Sequence, residues 1–368
     1  MKIAVLSSHT PSLFWFRMDM MKEFIRRGHS VIAIGNEPES EWLKRFSENG
    51  IRYISAEIQR NGTNPFKDIR TYFSIKKILK SERPDKVFTY QAKTVIYGGM
   101  AAKSLKITDV YPLIAGVGSV FISDGAKAKI IRAILKTEYR IGMKHAKKVF
   151  FQNPDDVEVF CKNRIISEDR VVMLNGSGVN LEKFERLPLP GKVTFLCISR
   201  LIRDKGVYEY LQAAKIVKEQ NPEARFLLVG PYDTNPSALK PEELAPYTDA
   251  GIVEYFGEQP DVRPYIAQCS VFVLPSYREG TPKTVLEAMA CGRAIITTDA
   301  PGCKETVTDG ENGFLVPVRD VPALSDRMLY FLKHPEIITV MSEKGRKIVE
   351  DKFDVVKVNN TVCDTMEI

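Results

Sequence analysis

Short apolar runs of strand length recur along the whole chain, separated by stretches with helical patterning. The first half carries "KIAVLSS", "SVIAIGN", "IRYIS", "KVFTY", "VYPLIAG", "KKVFFQN" and "RVVML". The second carries "KVTFLCI", "ARFLLVG", "IVEYFG", "SVFVLP", "RAIITT" and "NGFLVP". Runs apolar on both faces belong in parallel sheets covered by helices on both sides. Right-handed crossovers then give doubly wound domains. The turn-rich "ERLPLPGK", residues 185–192, reads as a linker. The expected α/β architecture is therefore two Rossmann-like domains, about 1–185 and 190–350, with 351–368 crossing back to the first. Ligands of such sheets gather at the carboxyl ends of the strands. Two facing domains would enclose an interdomain cleft.

With 368 residues, 44% hydrophobic and 27% charged, the chain has a globular composition. Its apolar runs are far shorter than a membrane span. "IAVL" near the start is too short for a signal peptide and no small-residue cleavage site follows. The six cysteines lack a Cys-x-x-Cys spacing, which suits a reducing cytoplasm and disfavours zinc. Charge is uneven: residues 1–185 hold 31 Lys+Arg against 20 Asp+Glu, whereas the remainder is mildly acidic. No helix-turn-helix, zinc or RNP pattern makes nucleic acid the partner of the basic half. An anionic membrane surface is the alternative.

In "SVFVLPSYREGTPKTVLEAMACG" a strand ends near Pro275 and a helix is expected over Pro282 to Cys291, with Thr281 as N-cap and Gly292 as its stop. Its N-terminus, at a strand's carboxyl end, suits a diphosphate. Glu279 stands just before it and Glu287 within it. Eight residues span at most ~12 Å along a helix, about the reach between the two ends of a nucleotide sugar. A glycosidase pair needs carboxylates about 5–9.5 Å apart. Two ordinary helix-flanking glutamates would give the same bare spacing.

The surrounding residues resemble the Glu-x₇-Glu region of the family 4 retaining glycosyltransferases of GT-B fold. The likeness continues in "GCKETVTDGENGFLVPVRD", in "CISRLIRDKG", similar to an Arg-x₄-Lys-Gly phosphate clamp, and in "NGSGVNLEKF", with Asn180 where an aspartate is usual. "VGPYDTNP" and "AGVGSVF" are similar to a subgroup that adds N-acetylhexosamines, N-acetylgalactosamine among them, to undecaprenyl-diphosphate-linked intermediates. The resemblance implies a UDP-sugar donor, a polyprenyl-diphosphate-linked glycan acceptor, and same-face substitution with retention. It also implies site residues. Arg200 and Lys205 would neutralise the diphosphate with Glu279 beside the donor sugar, these three being catalytic. Glu287 would accept hydrogen bonds from the ribose diol, with Ser199, Gly280, Thr281, Pro282 and Lys283 also at the donor. Glu305 could serve the site or merely end a helix.

In the first domain, the Ser/Thr-rich "SSHTPS" stands where relatives are often glycine-rich. Ser8, His9, Ser12, Arg17, Gly116 and Gly118 are its candidates for the acceptor and its phosphates. Asp-x-Asp occurs nowhere, so no metal cofactor is expected. The basic stretch 124–148 reads either as a membrane-surface helix or as a helix with a solvated basic face. On the first reading Lys127, Lys129, Arg132 and Lys136 meet lipid headgroups, Phe121 and Ile122 act as wedges, and the protein sits peripherally on the inner face of the cytoplasmic membrane. A nucleotide-sugar epimerase or hydrolase of the same fold, and a transferase with a soluble acceptor, are the competing functions.

Overall fold

Each of the thirteen apolar runs forms a strand. The structure, a computed structural model, describes residues 1–368 except 61, 63, 118–120, 122–124, 236 and the side chains of 127 and 128. Gly118, Ile122 and the Lys127 side chain thus lie outside the described residues. The chain divides into two units, one of Met1–Ser177 with Val355–Ile368, the other of Gly178–Asp354.

Among the described residues, the first unit holds seven parallel strands: β1 (Lys2–Ser7), β2 (Ser30–Gly35), β3 (Arg52–Ser55), β4 (Lys86–Tyr90), β5 (Val110–Ile114), β6 (Val149–Phe151) and β7 (Val171–Met173). Their order is β3-β2-β1-β4-β5-β6-β7. Successive side chains of β1 point to opposite faces. Ile3 and Val5 join one core layer, and Ala4 and Leu6 join the other. The helices covering these faces are α1 (Thr10–Arg26), α2 (Glu39–Ser47), α3 (Pro65–Glu82), α4 (Gly99–Ser104), α5 (Ala126–Gly142) and α6 (Pro154–Lys162). Several start on a local signal. The Asn64 side chain accepts from Phe66 N at 3.0 Å, Asn153 accepts from Asp156 N at 2.8 Å, and each is followed by a proline at the first helical position.

In the second unit β8 (Thr194–Ile198), β9 (Arg225–Val229), β10 (Glu254–Tyr255), β11 (Val271–Leu274), β12 (Ala294–Thr298) and β13 (Gly313–Val316) form a parallel sheet in the order β10-β9-β8-β11-β12-β13. Its helices are α7 (Val207–Gln220), α8 (Pro241–Asp249), α9 (Arg263–Ala267), α10 (Lys283–Ala290), α11 (Val321–Lys333) and α12 (Glu336–Ile348). Phe195 and Cys197 of β8 face one core layer, Leu196 and Ile198 the other. The last helix, α13 (Val355–Met366), returns to the first unit, where Val362, Cys363 and Met366 pack with Ile3, Val5 and Leu13.

Residues 185–192 are not a linker. The buried Arg293 guanidinium donates to the carbonyls of Leu187 at 3.1 Å and Pro188 at 3.0 Å, fastening this turn to the second unit. The division falls earlier, between Ser177 and Gly178, and again between Asp354 and Val355. Helix α10 begins at Lys283, one residue later than expected. Pro282 is its N-cap with ψ of 108°, Cys291 is the C-cap, and Gly292 follows with φ of +74°.

Candidate active site

In the second sheet the winding reverses between β8 and β11, the switch point where such sheets bind ligands. The loops leaving these two strands are held together. Tyr277 N donates to the Asp204 carbonyl at 2.9 Å and Ser276 Oγ to the same oxygen at 3.1 Å. Two glycines permit the closeness. A Cβ on Gly206, whose φ is +71°, would lie 2.0 Å from the Pro275 carbonyl oxygen. One on Gly302, with φ of +84°, would lie 2.2 Å from that of Glu279.

The result is a compact charged cluster. Lys205 Nζ, from the loop after β8, donates to Glu279 Oε1, from the loop after β11, and both side chains are largely buried. The sequence reading assigned this lysine to the diphosphate and this glutamate to the sugar; in the structure they form one ion pair. Arg200 stands on the exposed side of the same loop, with its Nη1 2.8 Å from Asp233 Oδ2. Ser199 Oγ donates to the Arg200 carbonyl at 3.2 Å. Gly280 and Pro282 are buried, while Thr281 and Lys283 are half-buried as the chain enters α10. Glu305 closes the adjacent turn by accepting from Gly302 N at 2.7 Å.

Glu287 sits inside α10, 8% exposed. Burial pushes its carboxyl up to about 7, while Lys283 and Lys183 pull it back and Asp261 adds to the rise. Lys283 Nζ lies 4.0 Å from Glu287 Oε1.

The first unit repeats the arrangement at its own switch point, between β1 and β4. Ser8 Oγ donates to Gln91 Oε1 at 2.9 Å, Gln91 Nε2 donates to Ser12 Oγ at 3.2 Å, and Ser12 Oγ lies 2.7 Å from the Tyr90 hydroxyl. His9 is the N-cap of α1. Arg17, two turns into α1, lies back over the Tyr90 ring at 4.8 Å and is 4% exposed. Burial lowers its pKa to about 10, and its Nε has no hydrogen-bond partner among the described residues. Gly116, after β5, has φ of +115°, a conformation that favours glycine.

Of the expected membrane contacts, Lys129 is exposed and Arg132 and Lys136 are half-exposed on α5. Phe121 is not a free wedge: its ring stacks on buried Phe160 with centroids 6.4 Å apart. Among the described residues no helix is long and apolar enough to cross a membrane.

Sequence reasoning missed Asp233, Lys183, Asp261, Tyr90 and Gln91. Asp233 and Lys183 stand inside the motifs "VGPYDTNP" and "NGSGVNLEKF", which could have singled them out, whereas Tyr90 and Gln91 have only their place at the end of β4.

Residues 192–334 match the family model described as glycosyl transferases group 1, and residues 2–153 match the one described as glycosyl transferase 4-like. The chain is 31% identical, over 92% of its length and 91% of the relative's, to the N,N'-diacetylbacillosaminyl-diphospho-undecaprenol alpha-1,3-N-acetylgalactosaminyltransferase of Campylobacter jejuni. It is 24% identical, over 89% of its length and 86% of the relative's, to the UDP-Gal:alpha-D-GlcNAc-diphosphoundecaprenol alpha-1,3-galactosyltransferase of Escherichia coli. Among solved structures, Anabaena HepE in complex with UDP and glucose superposes with a TM-score of 0.80 at 16% identity, covering 100% of this chain and 99% of that one. Two switch-point sites on two parallel sheets, with a full-length relative above 30% identity, lead to one assignment: the chain belongs to the family 4 glycosyltransferases and has their GT-B fold.

Proposed function

We propose that this glycosyltransferase moves a hexose or N-acetylhexosamine, with retention and without a metal ion, from a UDP-sugar to a polyprenyl-diphosphate-linked glycan at the inner membrane surface. The observation that carries the reading is the full-length likeness to the C. jejuni enzyme, whose name gives both an N-acetylgalactosaminyl group and a diphospho-undecaprenol acceptor. The charged cluster supports it. Arg200, Lys205 and the N-terminus of α10 offer positive charge for a diphosphate leaving group, the task that a metal serves in Asp-x-Asp enzymes. Glu279 brings a carboxylate to the sugar end. Glu287 binds the ribose diol. Arg17, a buried cation beside Ser12 and Tyr90, supports an acceptor-phosphate site in the first unit. In the reaction the anomeric carbon–phosphate oxygen bond breaks and a bond to the acceptor oxygen forms on the same face. The acceptor proton passes to the departing phosphate.

The test is incubation with a panel of UDP-sugars, with and without a polyprenyl-diphosphate glycan, in EDTA. Acceptor-dependent UDP release is expected. Sugar interconversion without acceptor would identify an epimerase, acceptor-independent UDP release a hydrolase, and turnover only on Mg²⁺ or Mn²⁺ addition would overturn metal independence.

A further inference from the structure

Helices α3 and α5 both pack on the turn Thr94–Gly98 and on α4 that continues from it. Between them they leave a groove of about 1040 Å³. Its walls carry large apolar side chains turned to the outside. On α3, Ile69 is 53% and Phe73 60% exposed; on α5, Ile134 is 54% exposed. Phe66, 75% exposed, and Ile130, 63% exposed, stand on the same two helices. Contiguous apolar surface of this kind marks a binding site.

Four polar groups of the groove are engaged with one another in two pairs. Lys93 Nζ lies 2.5 Å from Asp68 Oδ1, and the Tyr97 hydroxyl donates to Glu138 Oε1 at 2.9 Å. These pairs need nothing from an occupant, so the groove suits an apolar one. Exposed cations accompany the apolar stripes, Lys67, Arg70 and Lys77 on α3 and Lys129 on α5, and they complement an anionic headgroup. The groove also adjoins the Arg17 cluster along the chain. Gln91 holds Ser8 and Ser12, and the next two residues, Ala92 and Lys93, already line the groove.

We infer that this groove holds the isoprenoid chain of the acceptor lipid, with the diphosphate at the Arg17–Ser12–Tyr90 cluster. The inference rests on the acceptor class proposed above and assigns its apolar end to α3 and α5. Membrane attachment and tail binding are thereby separate tasks: the outer cations meet the surface, and the groove selects the chain.

The experiment compares the full-length protein with an Ile69→Ser/Phe73→Ser/Ile134→Ser variant, all three positions being exposed. Acceptors carry the same sugar diphosphate on five-carbon or fifteen-carbon prenyl chains, below their aggregation threshold and without vesicles. The wild type should show a KM at least tenfold lower for the longer chain, and the variant should lose that difference with kcat and the short-chain KM unchanged. Equal KM values in the wild type, or a chain-length effect intact in the variant, overturns the groove while leaving the proposed function standing. Loss of vesicle binding alone in the variant would make the face a membrane-docking surface, which also overturns the inference. If neither acceptor supports transfer, the proposed function fails instead. Fluorescence titration with a dansyl-labelled prenyl diphosphate then decides the groove by itself: tenfold weaker binding to the variant supports it, and equal binding rejects it.

Discussion

Glu279 and Glu287 are eight residues apart and occupy different electrostatic settings. Glu279 is neutralised by Lys205, so its removal releases a cation towards any bound diphosphate. Glu279→Gln should therefore keep or raise UDP affinity while lowering kcat. Glu287→Ala should weaken UDP itself, since lost charge-assisted hydrogen bonds cost about 1.5–3 kcal/mol, roughly 10- to 150-fold. Titrating UDP into both variants tests the division, and equal losses would contradict it. Glu287 also predicts a pH dependence. Its carboxyl rises from an ordinary 4.5 to about 7 because burial disfavours the charge. The stability gained from the protonated form is complete below about 4 and is lost as pH rises through about 7, a change of about 3 kcal/mol. Glu287→Gln should match the wild type in urea unfolding at pH 4 and exceed it by up to about 3 kcal/mol at pH 8. If the ionised form holds the ribose, UDP should bind more tightly as pH rises through about 7 and should displace a proton. Calorimetry in two buffers of different ionisation enthalpy measures that proton; none released near pH 6.5 would remove Glu287 from the ribose.

At the scale of elements, α5 carries the prediction about membrane. Lys129, Arg132 and Lys136 changed together to Glu should weaken binding to anionic vesicles. Each cation near such a surface contributes about 1 kcal/mol, and the attraction is screened beyond about 8 Å at physiological salt. Transfer to a full-length lipid acceptor should fall while transfer to a water-soluble analogue holds. Unchanged co-sedimentation would make the helix structural. The central strands were legible in the sequence because they are buried on both faces, so "FLCI" in β8 and "AII" in β12 run apolar without polar alternation. Loop residues at strand ends were legible too, since the motif residues Arg200, Lys205 and Glu279 follow β8 and β11. Their pairing was not: Lys205 and Glu279 are 74 residues apart, and contact across three crossovers leaves no local periodicity. The stacking of Phe121 on Phe160 of α6 was illegible for the same reason. The stripe Phe66, Ile69, Phe73 has ordinary core spacing, and only the structure shows it facing outward.

At the scale of the molecule, the second unit is one unbroken segment, whereas the first is built from two. The fragment Gly178–Asp354 should unfold cooperatively and bind UDP as the whole chain does, because Arg200, Lys205, Glu279 and Glu287 all lie within it. The fragment Met1–Ser177 should be much less stable. It lacks the buried Val362, Cys363 and Met366 of α13, and burying a Val or Met side chain contributes about 1.5–3 kcal/mol. Circular dichroism with urea titration of both fragments, and of the first with the α13 peptide added, measures this; a fully stable Met1–Ser177 would refute it.

The return of α13 also sets an order of events on the ribosome. Between Ser177 and Val355 the chain must emit 177 residues, which takes roughly 9–35 s at about 5–20 residues per second. The second unit can close on itself at the end of that interval, while the layer of Ile3, Val5 and Leu13, already covered by α1 and α2, still lacks Val362, Cys363 and Met366 of α13. The unit translated first is the one completed last, and the part of its layer that α13 covers is where a nascent-chain chaperone would have the longest time to act.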